Sequence, residues 1–167
     1  MMSLFRTPEK NPPRTPPRKR MRETPNVEHP FGLLELFQSV ANVDGILYGS
    51  AAVWFHAVYN GVNIGFLNGE TSDIDIIISD KQFLMRKTDV SDIGRNIDYL
   101  SMTQVFGSNK GRKEKMYVQQ VMNMRVVTPD FLLKTYSNSD YMSNRIIQKI
   151  EILKQIIEKK NIKSLFY

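Results

Sequence analysis

The chain contains no cysteine. That absence excludes disulfides, zinc–thiolate centres and thiol nucleophiles, and it fits a reducing compartment. Only two histidines, His29 and His56, occur among 167 residues, too few for a histidine-rich metal site. No run approaches the roughly 18 apolar residues of a membrane span. The N-terminal residues hold no hydrophobic signal region either, so no membrane partner is expected. What is present suits a folded protein: apolar residues make up 41% of the chain and aromatics 10%. The length predicts one domain with a real core rather than two ordinary ones.

Charge is unevenly spread. Residues 1–30 carry seven Lys/Arg against three Glu, while the other 137 residues carry 16 basic and 14 acidic side chains. The high pI is therefore mostly a property of the N-terminal tail, which weakens any reading of the folded part as a dedicated nucleic-acid binder. Residues 1–26 hold six of the eight prolines, with only Leu4 and Phe5 as bulky apolar anchors ahead of Met21. Such a segment cannot bury enough apolar surface to offset the entropy of ordering it, so residues 1–28 are expected to be a disordered, basic, Pro-rich tail. Within it, Pro16-Pro17-Arg18-Lys19-Arg20-Met21-Arg22 resembles a short basic nuclear-localisation signal. Thr7, Thr15 and Thr24 each precede proline, the pattern proline-directed kinases modify, and phosphates there would cancel part of the positive charge. In a eukaryotic host this predicts the nucleus; otherwise the cytoplasm is expected. The bland alternative is a generic solubilising tail.

Residues 29–167 read as the folded unit. Pro30–Val40 has Phe31, Leu33, Leu34 and Phe37 at helical spacing. Ile46–Tyr48 reads as a short strand and Ser50–Tyr59 as a helix, with Ala51 and Ala52 allowing close packing. Asn60–Thr71 is expected to be a loop or small edge strand. Ile74–Ser79 is apolar on both faces and is expected in the middle of a sheet. Lys81–Met85 reads as a short helix, Thr88–Arg95 as polar turn, Ile97–Met102 as a strand and Phe106–Lys115 as a mobile basic loop. Tyr117–Val121 and Met124–Val127 predict a hairpin turning near Asn123. Thr128-Pro129 is a cap followed by proline at the first helical position. Asp140–Lys160 predicts the longest helix, with Ile146, Ile147, Ile150, Leu153, Ile156 and Ile157 on one face. The order predicts an α+β (α/β-like) fold with a mixed sheet flanked by helices.

The chemistry-bearing stretch is Gly45–Ser79. Asp73 and Asp75, one residue apart at a strand entrance, point to the same side because strand side chains alternate. Two such carboxylates repel each other, which suits a cation site or a hydrogen-bonded structural feature. Upstream, Gly49-Ser50 sits where a strand turns into a helix, a corner suited to phosphate.

Leu47-Tyr48-Gly49-Ser50-Ala51-Ala52 followed by Thr71-Ser72-Asp73-Ile74-Asp75-Ile76 resembles the signature of DNA polymerase beta-type nucleotidyltransferases. With 22 residues between Ser50 and Asp73, the spacing is similar to that of the small minimal or abortive-infection-type members. Arg125–Lys134 also resembles the strand-then-helix that follows their catalytic core. The resemblance covers roughly residues 45–135. It implies that Asp73 and Asp75, with Asp98 as the candidate third acid, hold two Mg²⁺ ions, and that Gly49 and Ser50 bind the triphosphate. Lys134 matches a lysine often found in the following helix; the same residue reads equally as a solvated helix face. Asp98 reads equally as an edge-strand acid or a salt-bridge partner. Glu70 stands where many relatives carry a basic residue, and the Arg-x-Lys-Asp pattern of their last helices is not evident.

The implied activity is Mg²⁺-dependent transfer of a nucleoside monophosphate from a nucleoside triphosphate to a hydroxyl of nucleic acid or protein. The alternatives are a catalytically inactive binding or regulatory protein of the same fold in the nucleus, and a scaffold whose basic tail does the work. Trp54 and Phe55 read as core, His56 as a hydrogen-bonded or surface histidine, and Lys110, Arg112, Lys113 and Lys115 as a solvated basic loop able to meet phosphates.

Overall fold

A computed structural model describes residues 32–64, 73–86, 89–90 and 96–166. The expected tail, its basic run and Thr-Pro sites, and Glu70, Thr71 and Ser72 lie outside the described residues. So do most of the expected 60–71 loop and residues 91–95.

The fold is α+β: the described residues form a mixed six-stranded sheet flanked by helices, its strands lying side by side in the order 89–90, 96–101, 74–78, 46–48, 124–127 and 118–121. Helix α1 spans Leu33–Asn42, β1 Ile46–Tyr48, α2 Gly49–Tyr59, β2 Ile74–Ile78, α3 Asp80–Phe83, β3 Asp89–Val90 and β4 Asn96–Ser101. Then come α4 (Met102–Phe106), α5 (Lys110–Tyr117), β5 (Val118–Val121), β6 (Met124–Val127), α6 (Pro129–Ser137) and α7 (Asn144–Phe166). Strand β2 lies between β4 and β1, parallel to the first and antiparallel to the second. Its Ile74, Ile76, Ile77 and Ile78 are all buried, which is why the segment is apolar on both faces.

Helix α2 is the centre of the core. It is apolar on nearly every side, as a largely buried helix must be, and only Val58 and Tyr59 at its C-terminal end are exposed. Ala51, Ala52, Val53, Trp54, Phe55 and Ala57 are each at most 2% exposed, and α2 packs against β1, β2, α6 and α7. Helix α6 starts as expected, with Thr128 Oγ1 accepting from the Phe131 N–H at 3.3 Å and Pro129 at the first helical position. The β5–β6 hairpin turns on Met122 and Asn123, both at positive φ (53° and 66°), the geometry of a two-residue primed turn.

Four expectations need correction. Phe106–Lys115 is not a mobile loop: after one 3₁₀ turn at Gly107–Asn109 it forms α5. Side chains distant in sequence hold it there. Lys110 pairs with Asp80 and donates to Thr103, and Arg125 donates to Glu114 at 2.6 Å. Phe106 is buried beside Phe131, ring centroids 5.3 Å apart. Second, the buried face of α7 is Lys149, Ile152, Leu153 and Ile156, whereas Ile147 is 46% exposed. Third, the Thr88–Arg95 turn includes the two-residue β3, which pairs with Asn96 and Ile97. Finally, α1 begins at Leu33 behind a Gly32 cap, with Gly32 N–H donating to Glu35 Oε1 at 3.2 Å.

Candidate functional site

Strand register builds the site. Tyr48 pairs with Asp75 across the β1–β2 ladder, and Asp75 pairs with Asp98 across the parallel β2–β4 ladder. Register partners present side chains on the same face, with strands roughly 4.8 Å apart. Asp73 sits two residues before Asp75 at the strand entrance and therefore leans to the same side. The three acids expected to act together are thus gathered at one end of the sheet. Asp73 is exposed, Asp75 and Asp98 half-buried.

A close backbone approach lies beside them. Gly49 has φ +67°, a conformation that favours glycine, and opens α2 directly against Asp75. A Cβ there would overlap Asp75 Oδ2 and lie 3.2 Å from both Cβ and Cγ of Asp75. Only glycine fits this corner without moving the aspartate. Ser50 follows in the first turn of α2 and is half-buried. The first N–H groups of α2 have no partner within the helix and carry the positive end of its dipole. A carboxylate cluster and a helix N-terminus thus meet at one corner.

Electrostatics mark Asp75 as the stressed member. Burial comes first, then the negative charges of Asp98 and Asp73, and together they push its carboxyl up to about 6. The positive charge of Lys149, on α7, pulls in the opposite direction. Lys149 is 8% exposed, and its ammonium lies 5.6 Å from the centroid of the Tyr136 ring. Tyr48 is raised by burial and by the Asp75 charge, and lowered by its hydrogen bond with Thr135 of α6. Lys149, Tyr48 and Thr135 were missed as site neighbours from the sequence. A signal did exist for the lysine: 149, 152, 153 and 156 share one helical face, so Lys149 lies in line with three core residues.

Lys134, expected to meet nucleotide, is exposed on α6. His56 is buried, with Nε2 2.7 Å from the Val127 carbonyl oxygen. A carbonyl only accepts, so Nε2 carries the hydrogen. Burial drives the His56 pKa down to about 4, against an opposing pull from that hydrogen bond. Arg112 and Lys115 are exposed and Lys113 half-buried on α5.

Among the described residues, no three His, Cys, Asp or Glu side chains converge as a finished metal-ligand set. By donor type and charge, however, the Asp73–Asp75–Asp98 cluster fits a hard divalent cation, which takes carboxylate oxygens. Among the described residues no helix is long and apolar enough to cross a membrane. No family model, curated protein or solved structure matches the chain.

Proposed function

We propose that the chain is a Mg²⁺-dependent nucleotidyltransferase that moves a nucleoside monophosphate from a nucleoside triphosphate to a hydroxyl of nucleic acid or protein. The observation that carries this reading is the contact of Gly49 with Asp75, which joins a helix N-terminus to a cluster of three acids. Asp75 and Asp98, register neighbours on adjacent strands, would hold the cation, with Asp73 at the rim. Bound Mg²⁺ would supply the positive charge that lets a triphosphate and an acceptor hydroxyl meet beside carboxylates.

The chain's own groups do the rest. Backbone N–H groups at Gly49 and Ser50, with the Ser50 hydroxyl, donate to the phosphate oxygens. Asp98 orients the acceptor hydroxyl, whose oxygen bonds to the α-phosphorus as the bond to pyrophosphate breaks and the hydroxyl proton passes to water. Lys134 is assigned an outer contact with nucleotide. The Pro16–Arg22 run adds the proposal of nuclear import, tested by fusing residues 1–26 to a fluorescent reporter; exclusion of the reporter from the nucleus ends it.

A second reading, a nucleotide-binding or regulatory protein without turnover, draws on the three acids not converging as a ligand set. One experiment separates the two. Purified chain is incubated with Mg²⁺, each labelled nucleoside triphosphate, and RNA, DNA or protein acceptors. Label on an acceptor with release of pyrophosphate is expected. Saturable nucleotide binding without any labelled product supports the second reading, and neither binding nor product overturns both.

A further inference from the structure

The outward face of α7 is self-complementary, and we infer that it pairs two copies of this chain; this does not rest on the proposed activity. Helix α7 buries Lys149, Ile152, Leu153 and Ile156 on one side. On the opposite side, Ile147, Ile150, Lys154, Glu158, Ile162 and Leu165 fall within an arc of roughly 120° at helical spacing. Ile147 is 46% exposed, Ile162 47% and Leu165 81%, with Ile150 half-buried. Ile162 and Leu165 also line an open groove with Leu133, Lys154, Ile157, Glu158 and Asn161.

The order of charge along the face chooses the occupant. Let a second α7 lie antiparallel across the first, so that Lys154 of each copy faces the partner's Glu158. The same register then sets Ile150 against Ile162 and Ile147 against Leu165, twice each by symmetry, as an isologous contact requires. A parallel pairing would instead oppose Lys154 to Lys154 and Glu158 to Glu158. Glu151, exposed in the same arc, leaves the face with two Glu against one Lys, so it offers no positive charge to nucleic acid or to an anionic membrane. Six side chains per copy make a contact below the size of a standard stable interface, so the dimer should form in roughly the micromolar range.

Sedimentation equilibrium of the full chain, from about 1 to about 200 µM at about 0.15 M salt, tests this. The mass should rise from 19.4 kDa towards twice that value. Ile162→Glu with Leu165→Glu should remain monomeric with an unchanged circular-dichroism spectrum, since both positions are solvent-facing. Lys154→Glu alone, or Glu158→Lys alone, should weaken dimerisation by about tenfold or more, and the two together should restore it. A wild-type chain that stays monomeric throughout overturns the inference. So does a dimer indifferent to these changes, or a failed rescue by the double exchange.

Discussion

His56, buried on α2, and Asp75, half-buried against the start of the same helix, are treated by the chain in opposite ways. His56 is given one well-placed acceptor, the Val127 carbonyl at 2.7 Å, and stays neutral, with its pKa driven down to about 4. Asp75 is set among other acids, its carboxyl pushed up to about 6, with glycine the only residue that fits beside it. A buried polar group that serves structure is satisfied by the chain itself. One left in conflict is the better candidate for a ligand, because binding a cation relieves what folding did not.

The largest expected effect follows from neutralising the stressed group. Asp75→Asn should cut nucleotidyl transfer by about 10³-fold, in line with losing a principal charge-stabilising group. It should simultaneously raise stability above pH 6 by on the order of 1–2 kcal/mol, read from urea unfolding, because like-charge crowding is removed. At the satisfied group the pattern inverts. His56→Leu should leave transfer rates within about twofold while costing roughly 1–3 kcal/mol, since the Val127 carbonyl loses its donor in a dry core. A His56→Leu chain of undiminished stability would break the contrast.

Gly49→Ala should fall between them, losing both. The left-handed φ and the overlap with Asp75 together should cost about 2–3 kcal/mol and reduce transfer. Ser50→Ala provides the control that keeps the corner's backbone.

Acidification separates the two groups by sign. The His56 pKa is lowered on folding, so its stabilising contribution is complete above about 6.5 and is lost as pH falls towards 4. That of Asp75 is raised, so its contribution is complete below about 4 and is lost as pH rises through 6. The two slopes oppose each other between about 4 and 6, and wild-type stability should be nearly flat there. In that window Asp75→Asn should lose stability on acidification, and His56→Leu should gain it, on the order of 2 kcal/mol each. The smallest effect expected is that of Lys149→Met. Removing the nearby cation should move the Asp75 titration upward by about one unit or less.

Much of the β1–α2–β2 arrangement was legible in the sequence because its signals are local. Ile46–Tyr48, the Gly49-Ser50 corner, the small Ala51-Ala52 pair and the Asp-Ile-Asp strand entrance each constrain backbone within a few residues. The hairpin at Met122-Asn123 and the Thr128-Pro129 helix start are equally local. Helix α5 was not legible because Gly111 and a dense run of like charges read as loop; the pairs Lys110–Asp80 and Glu114–Arg125, distant in sequence, fix a segment whose Lys, Arg, Glu and Met otherwise favour helix. The face of α7 was misjudged because isoleucines surround the helix, and only packing decides that Ile152 turns inward and Ile147 outward. The role of Lys149 was hidden for a related reason. A lysine reads as solvated until the fold turns it towards Tyr136 and the charge of Asp75. The register of Asp75 with Asp98, which brings the third acid to the first two, depends on strand pairing that no short motif encodes.

Carboxylate-detected NMR titration of Asp75, with and without millimolar Mg²⁺, tests most directly whether this acidic corner is a cation site. Without the ion the midpoint should lie near 6. With Mg²⁺ it should fall by about one unit or more, as a bound cation favours the carboxylate, and the Asp98 resonance should shift with it. A midpoint that does not move with saturating Mg²⁺ would contradict the assignment and leave Asp75 a structural acid.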